Sequence, residues 1–159
     1  TTKEFDITNG EKCIIHTANI GDSRVVLVNE NKVIRLTYDH KASDISEKMR
    51  IEKAGGIVSY GRINSDLALS RSFGDFKYKK EGLISTPHIQ HLIINKNSSK
   101  NDIVVMASDG IWDVIEDSEL IKLASKKKFI VENIVEELVQ LAKEKGSTDN
   151  ISCLALKIF

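Results

Sequence analysis

The sequence contains little proline and cysteine and no long apolar run. Its 159 residues include one proline and two cysteines. Two cysteines cannot form the disulfide framework of a small secreted domain, so we expect Cys13 and Cys153 to be buried strand residues in a reducing compartment. The apolar runs are too short to cross a bilayer. We therefore expect a soluble, intracellular protein, cytoplasmic or nuclear, with no membrane partner.

An excess of charge of one sign is also missing, since 23 basic residues balance 23 acidic residues. This balance gives no reason to expect a nucleic acid as partner. A hydrophobic content of 41% in a chain of this length is typical of one folded domain with a single core. The sequence does not begin with methionine, and we expect it to be part of a longer protein.

Hydrophobic patterning predicts both strands and helices. Strands are predicted over residues 12–17, 24–29, 32–37, 57–59, 88–94, 102–107 and 151–158, with the first three pairing as consecutive antiparallel neighbours. Helices are predicted over 46–54, 118–127 and 130–145. Asp44 is the predicted N-cap of the first helix, and Glu47 completes a capping box. The last strand is apolar at nearly every position, which favours a central place in its sheet.

The informative polar residues are four aspartates near strand ends. Asp22 and Asp109 follow predicted strands, Asp113 comes four residues after Asp109, and Asp149 precedes the last strand. A single aspartate in a turn usually caps its own backbone, so the interpretation depends on the whole set. Converging carboxylates without thiolates or clustered histidines favour Mg²⁺ or Mn²⁺ over zinc. No phosphate-binding glycine loop, EF-hand or serine-hydrolase elbow accompanies them.

Six short motifs follow one another along the chain. They are Ala18 to Arg24, Asp39 to Lys41, Ala54 to Gly56, Ser70 to Asp75, Ala107 to Asp113 and Gly146 to Ile151. In this order they resemble the protein phosphatase 2C (PP2C, PPM) family of metal-dependent serine/threonine phosphatases, from about Ile14 to the C-terminus. The resemblance implies an α+β fold, an antiparallel β-sandwich flanked by α-helices and incomplete at the N-terminus. Residues 1–159 would form the C-terminal part of one phosphatase domain.

The resemblance also implies a site for two core Mg²⁺ or Mn²⁺ ions, with a third, weaker ion in some members. It places Asp109 and Asp149 on a core metal, and Asp113 and Asp22 on the weaker one. The implied reaction is hydrolysis of phosphoserine and phosphothreonine in protein substrates by a water or hydroxide that bridges the metals. The family's general-acid histidine and phosphate-binding arginine belong to an upstream segment without counterpart here, so we expect no catalytic side chain in this chain.

Residues 41–62 correspond to the family's flap, a variable subdomain beside the cleft. Within it, Arg62 is the residue that we expect to bind substrate, and a surface salt bridge is the alternative role. We interpret Arg71 as the partner of a buried carboxylate, Trp112 as a packing residue and His40 as a packed, hydrogen-bonded residue.

The absent upstream segment also predicts how the isolated chain behaves. We expect it to expose sheet edges and apolar surface from Ile14, Val26 or Val104, to self-associate, and to be inactive until the upstream segment is supplied. The alternative to an enzyme is a catalytically inactive, pseudophosphatase-like binding module built on the same sandwich.

Overall fold

The computed structural model of the chain describes residues 3–6, 12–95, 102–125 and 131–158. The strands are β1 (Lys3–Asp6), β2 (Lys12–Asn19), β3 (Arg24–Val28), β4 (Val33–Arg35), β5 (Val58–Ser59), β6 (Arg62–Ile63), β7 (His88–Asn95), β8 (Ile103–Ala107) and β9 (Cys153–Lys157). The helices are α1 (Ile45–Lys53), α2 (Asp109–Trp112), α3 (Asp117–Ala124) and α4 (Val131–Glu144), with a 3₁₀ helix at Phe76–Glu81.

Two antiparallel sheets form a sandwich. One has the strand order β1–β2–β7 and the other β4–β3–β8–β9, while β5 and β6 form a separate hairpin. The layer between the sheets is apolar, and its buried members include Cys13, Ile15 and Ile94 from the first sheet and Val25, Leu27 and Val104 from the second. The predicted α+β architecture with antiparallel sheets is confirmed.

Strands β2 and β3 are consecutive in the sequence but lie in different sheets, so the predicted pairing of neighbours is wrong here. β2 pairs with β7, and β3 pairs with β4 and β8. The reason is burial, because Ile15 and Val25 contact the same core from opposite sides. The turn at Gly21 and Asp22 therefore carries the chain from one sheet to the other. Gly21 has φ +94°, a conformation that favours glycine.

Helices α3 and α4 cover the outer face of the second sheet. Val26 and Val105 of this sheet pack in one cluster with Leu120 of α3 and Leu138 of α4. Burial of one such leucine contributes roughly 1.5–3 kcal/mol. The predicted start of the last helix, Ile130, lies outside the described residues. Within the described residues, no helix is long and apolar enough to span a membrane.

Strand β9 is at an edge of the described sheet, whereas the sequence favoured a central position. Its continuous apolar character has another cause, because the two faces of β9 differ. Cys153 and Ala155 pack against the helical layer, and Leu154 and Leu156 lie on the opposite face and are partly exposed. Apolar residues on both faces of a strand therefore do not determine how many strands pair with it.

The exposed apolar surface also differs from the expectation. Val26 and Val104 are 0% exposed, because both strands that carry them lie between other layers. Exposed apolar residues on the first sheet include Ile89 and Ile93 of β7, at 68% and 55%. Side chains alternate along a strand, so these two face away from the sandwich core that holds Ile94.

A small subdomain, called here the insertion, extends from Lys41, which forms a β-bridge with Leu69, to Ile84, which forms one with Arg71. It contains α1, the β5–β6 hairpin and the 3₁₀ helix around a core of Ala42, Ile51, Ile63, Tyr78 and Leu83. The predicted flap, residues 41–62, is the first part of this packed unit. Asp44 is at the N-cap of α1 as predicted, but its side chain makes no capping hydrogen bond.

Candidate metal centre

Asp22 lies in the turn between β2 and β3, and the peptide before it is held by several donors. The carbonyl oxygen of Gly21 accepts a hydrogen bond from the His40 backbone nitrogen at 3.0 Å. The Asn19 side-chain nitrogen donates to the same oxygen at 2.9 Å. Because the β2–β3 turn and the loop after β4 share these bonds, the position of Asp22 depends on both.

Arg24 fixes the other side of this turn. Its Nε and Nη2 donate to the two Asp39 carboxylate oxygens at 3.0 and 2.5 Å, in the bidentate geometry that suits a guanidinium. The Arg24 guanidinium also lies 5.3 Å from the centre of the Trp112 ring. Trp112 is buried and donates its indole N–H to the Ala107 carbonyl at 2.7 Å. The predicted packing role of Trp112 fits these contacts.

Asp109 and Asp149 lie at one junction, where α2 meets the loop before β9. Ser147 Oγ donates to the Gly110 carbonyl oxygen at 2.6 Å. Gly110 approaches the same loop so closely that an added Cβ would lie 2.5 Å from the Asn150 carbonyl oxygen. Asp149 accepts a hydrogen bond from the Asn150 backbone nitrogen at 2.6 Å. The backbone before β9 is therefore packed directly against the residue that follows Asp109.

Electrostatics link Asp22 to Asp109. Burial raises the pKa of the Asp22 carboxyl, the negative charge of Asp109 raises it further, and the charge of Lys41 lowers it. Lys41 also lies 3.6 Å from Asp113, measured from Nζ to Oδ1. Lys41 therefore lies near both Asp22 and Asp113, and Asp109 lies close enough to Asp22 to raise its pKa. Repulsion between close carboxylates is relieved when a cation binds them.

The donor set fits a hard divalent cation, although the side chains are not assembled as ligands. Among residues 12–95, 102–125 and 131–158, no group of three or more His, Cys, Asp or Glu side chains is arranged to hold a metal ion. Carboxylate oxygens are the ligands that Mg²⁺ and Mn²⁺ accept. The structure thus brings the four predicted aspartates to two packed turns, at Asp22 and at the Asp109–Asp149 junction.

Space for a ligand is present beside these turns. An open cleft is lined by Ser23, next to Asp22, and by Ser108, next to Asp109. The side chain of Arg24 reaches the same cleft. Ser23 directly precedes β3 and Ser108 directly follows β8, so this part of the cleft is next to Asp22 and Asp109 in the sequence.

Arg62 lies elsewhere, in the β5–β6 hairpin of the insertion. Its side chain is exposed, and Nη1 donates to the Asp66 carbonyl oxygen at 2.7 Å. This contact is internal to the insertion and leaves a role in substrate binding as a prediction.

Sequence reasoning missed a buried carboxylate in the insertion, Glu47, which it assigned to a capping box. Glu47 is 4% exposed. Its oxygens accept hydrogen bonds from Arg71 at 2.7 and 2.9 Å, from Ser70 Oγ at 2.6 Å and from Arg50 at 3.0 Å. Burial alone would raise the pKa of Glu47, but the bonds from Arg71 and Ser70 and the charge of Arg50 lower it to about 2. The interpretation of Arg71 as the partner of a buried carboxylate fits these contacts.

Two further residues near the aspartates were given no role by sequence reasoning. Asn19 is in the same motif as Asp22, and Lys41 is in the same motif as His40. This membership was the signal in the sequence that could have indicated a role for them. Their distant partners could not be read from the sequence, because Asn19 also donates to the Tyr38 carbonyl oxygen at 3.1 Å and Lys41 forms an ion pair with Asp113.

The family is shown by comparison with known proteins. The family model of protein phosphatase 2C matches residues 2–151. The chain belongs to the protein phosphatase 2C family.

Individual relatives agree with this assignment. The chain is 40% identical over 144 residues to Protein phosphatase 2C homolog 1 of Saccharomyces cerevisiae. This alignment covers 89% of this chain and 49% of the relative. It is 37% identical over 150 residues to Protein phosphatase 2C homolog 1 of Schizosaccharomyces pombe, covering 94% and 42% of the two chains. The chain spans about half the length of the curated relatives it matches.

Solved structures show the same fold. A phosphatase from a pathogenic strain of Toxoplasma gondii superposes with a TM-score of 0.81 at 27% identity, over 92% of this chain and 50% of that one. A Caenorhabditis elegans sex determining protein superposes with a TM-score of 0.75 at 29% identity, over 92% and 37% of the two chains.

Proposed function

We propose that the protein to which this chain belongs is a Mg²⁺- or Mn²⁺-dependent phosphatase that hydrolyses phosphoserine and phosphothreonine in protein substrates. The observation that supports this proposal most directly is the Asp109–Asp149 junction, where Gly110, next to Asp109, packs closely against Asn150, next to Asp149. Family membership supports the class of reaction.

The proposal gives the four aspartates different roles. Asp109 and Asp149 would hold a core cation, and Asp22 and Asp113 a weaker one. When bound, two divalent cations would supply an activated water for attack on phosphorus and would neutralise the charge that develops on the phosphoryl oxygens. The general-acid histidine and the phosphate-binding arginine are assigned to a part of the protein outside this chain.

The insertion would influence the choice of substrate. Its exposed hairpin carries Arg62, whose guanidinium has donors beyond the bond to Asp66. We assign Arg62 to the binding of a phosphorylated protein substrate.

Self-association of the isolated chain through exposed sheet edges is part of the same proposal. It is supported by the exposed Ile89 and Ile93 and by the edge strand β9, since exposed apolar surface and open strand edges favour association. An intracellular location, cytoplasmic or nuclear, is supported by the low cysteine content, since two cysteines cannot form the disulfide framework of a small secreted domain.

A binding module without catalytic activity is the second candidate. The observation in its favour is that, in the part of the chain that the structure describes, the aspartates are not assembled with a third ligand as a metal site. Such a module would keep the sandwich and its partners but would have no metal-dependent turnover.

The decisive experiment measures hydrolysis of a phosphothreonine peptide by the full-length protein while Mn²⁺ is varied. We expect Asp109→Asn and Asp149→Asn each to lower turnover by at least about 100-fold, because a metal ligand is lost. Asp117→Asn, at the start of α3, is the matched control and should retain activity. Circular dichroism verifies that each variant is folded. Turnover in both site variants that matches the parent, with the same Mn²⁺ requirement, would contradict the proposal.

A further inference from the structure

His40 is fully buried, and both of its nitrogen donors reach one oxygen. Its backbone nitrogen lies 3.0 Å from the Gly21 carbonyl oxygen, and its ring Nδ1 lies 3.2 Å from the same atom. A carbonyl oxygen can only accept, so Nδ1 carries the proton and Nε2 does not. Nε2 is buried without a hydrogen-bond partner within the described residues. The ring is therefore oriented through Nδ1.

The bond to Gly21 acts on the peptide that leads into Asp22. Gly21 has a left-handed backbone conformation with φ +94°, so its carbonyl direction is a special feature of this turn. The Asn19 side chain is the other side-chain donor to the same oxygen, at 2.9 Å. With three donors on one carbonyl, rotation of the Gly21–Asp22 peptide would break several hydrogen bonds together.

His40 also connects this turn to the insertion. Its carbonyl oxygen accepts a hydrogen bond from the Ser70 backbone nitrogen at 2.9 Å. Ser70 in turn donates through Oγ to buried Glu47 at 2.6 Å. The turn that carries Asp22 is thus joined through one residue to the network that holds Arg71.

A direct part in proton transfer does not suit this residue. The Nδ1–H group is hydrogen-bonded to the Gly21 carbonyl oxygen, and Nε2 is buried. Burial and the charge of Arg71 lower the pKa of His40, which agrees with a neutral ring. A buried, neutral ring with one engaged donor is suited to holding a backbone group.

We propose that His40 is a positioning residue: its Nδ1–H holds the Gly21–Asp22 peptide so that the Asp22 carboxylate is presented beside Asp109 for the outer cation. This inference rests on the proposed function, because it assumes that Asp22 binds that cation. Residues that orient metal ligands commonly affect metal affinity by about 10- to 100-fold. Two other donors to Gly21 remain when the ring is lost, so we expect an effect near the lower limit.

Two amide variants separate positioning from simple packing. In H40N, the side-chain nitrogen reaches the position of Nδ1 and keeps the donor to Gly21. In H40Q, the longer side chain places its amide nearer the position of Nε2 and loses that donor. Both substitutions remove the ring from the core, so a merely structural role would lower the melting temperature and change the other readouts of both variants alike.

The first measurement needs no metal. In the full-length protein, NMR measures the ¹³C shift of the Gly21 carbonyl, which responds to the hydrogen bonds that this carbonyl accepts. NMR also measures the order parameter of the Asp22 N–H. We expect H40N to keep the parental values, and H40Q to shift the carbonyl signal and to lower the order parameter from about 0.85 toward 0.6. Identical values for H40Q and the parent would overturn the proposal.

The second measurement uses Mn²⁺ alone, titrated into the same proteins by calorimetry, with Asp22→Asn as the reference for a lost ligand. We expect about tenfold weaker binding at the Asp22-dependent site in H40Q, and affinity within threefold of the parent in H40N. Equal losses in H40N and H40Q would overturn positioning by Nδ1. If the parent shows no Asp22-dependent Mn²⁺ binding, the proposed role of Asp22 as a ligand of the outer cation fails, and the NMR measurement alone decides whether His40 holds the Gly21–Asp22 peptide. If H40Q does not fold, a folded H40N with a mobile Asp22 N–H overturns the inference.

Discussion

The charge of Glu47 should be a main source of stability for the insertion. Glu47→Gln keeps the shape of the side chain but removes the charge that faces Arg71 and Arg50. The amide nitrogen of glutamine can only donate, so one of its positions would oppose an arginine N–H. Two partly buried guanidinium groups would then lack their anion, which is costly in a partly dehydrated site.

The pKa of Glu47 gives the expected size of this effect. The pKa falls from 4.5 to about 2 on folding, and each pKa unit corresponds to about 1.4 kcal/mol. The charge therefore contributes about 3 kcal/mol to the free energy of unfolding at neutral pH. This value agrees with the roughly 3–5 kcal/mol found when one partner of a buried ion pair is removed.

The effect should depend on pH in a defined direction. Because the pKa of Glu47 is lower in the folded state, its contribution is complete above the unfolded pKa of 4.5 and is lost as the pH falls toward 2. The unfolding free energies of the parent and of Glu47→Gln should therefore differ most near pH 7 and converge near pH 2.

Urea unfolding at several pH values measures the difference, and hydrogen exchange locates it. Amides of the insertion should exchange faster in Glu47→Gln. Glu52→Gln is the control on the same helix, since Glu52 is exposed and lies 3.7 Å from Lys48. An exposed pair of this kind is worth less than about 1 kcal/mol. A Glu47→Gln variant as stable as Glu52→Gln, or a difference that does not change with pH, would refute the reasoning.

Two other predictions concern Gly110 and Cys153. Gly110→Ala places Cβ 2.5 Å from a backbone oxygen, so we expect the free energy of unfolding, measured with urea, to fall by about 2 kcal/mol or more. Gly74→Ala is the control and should be nearly neutral, because its Cβ meets nothing within 4 Å. Equal stabilities of the two variants would disprove the close packing. Burial raises the pKa of the Cys153 thiol from 9.0 to about 11, so its thiolate at pH 8 is about 100-fold scarcer than in the unfolded chain. Alkylation of Cys153, followed by peptide mass spectrometry, should therefore be slower in the native protein by that factor. A native rate within tenfold of the rate in urea would contradict this prediction.

Much of the fold could be predicted because it depends on local patterns. The predicted helix over 118–127 corresponds to α3 and the one over 130–145 to α4, since both have apolar residues at helical spacing. Turn residues and β-branched runs located most strands to within two residues. The helix α2 was not predicted, because its four residues lie in a motif whose glycine and aspartates are equally typical of a turn.

Sheet membership could not be predicted, because alternation shows that a strand has a buried face but not which layer covers it. Ile15 and Val25 have the same apolar character, yet they contact one core from opposite sheets. In β9 the same limit gave the wrong position, since apolar residues on both faces of a strand do not specify its neighbours. These choices depend on pairings between residues far apart in the chain.

The sequence by itself determined the motifs, the family resemblance and the four aspartates, because these are properties of residue type and order. Only the tertiary structure decided which groups meet. Glu47 was predicted to cap a helix and instead binds Arg71, and His40 meets Gly21, because loops brought together by packing carry the donors. A buried hydrogen bond is determined by the position of its partner in space, and for these residues the partners are 24 and 19 positions away in the sequence.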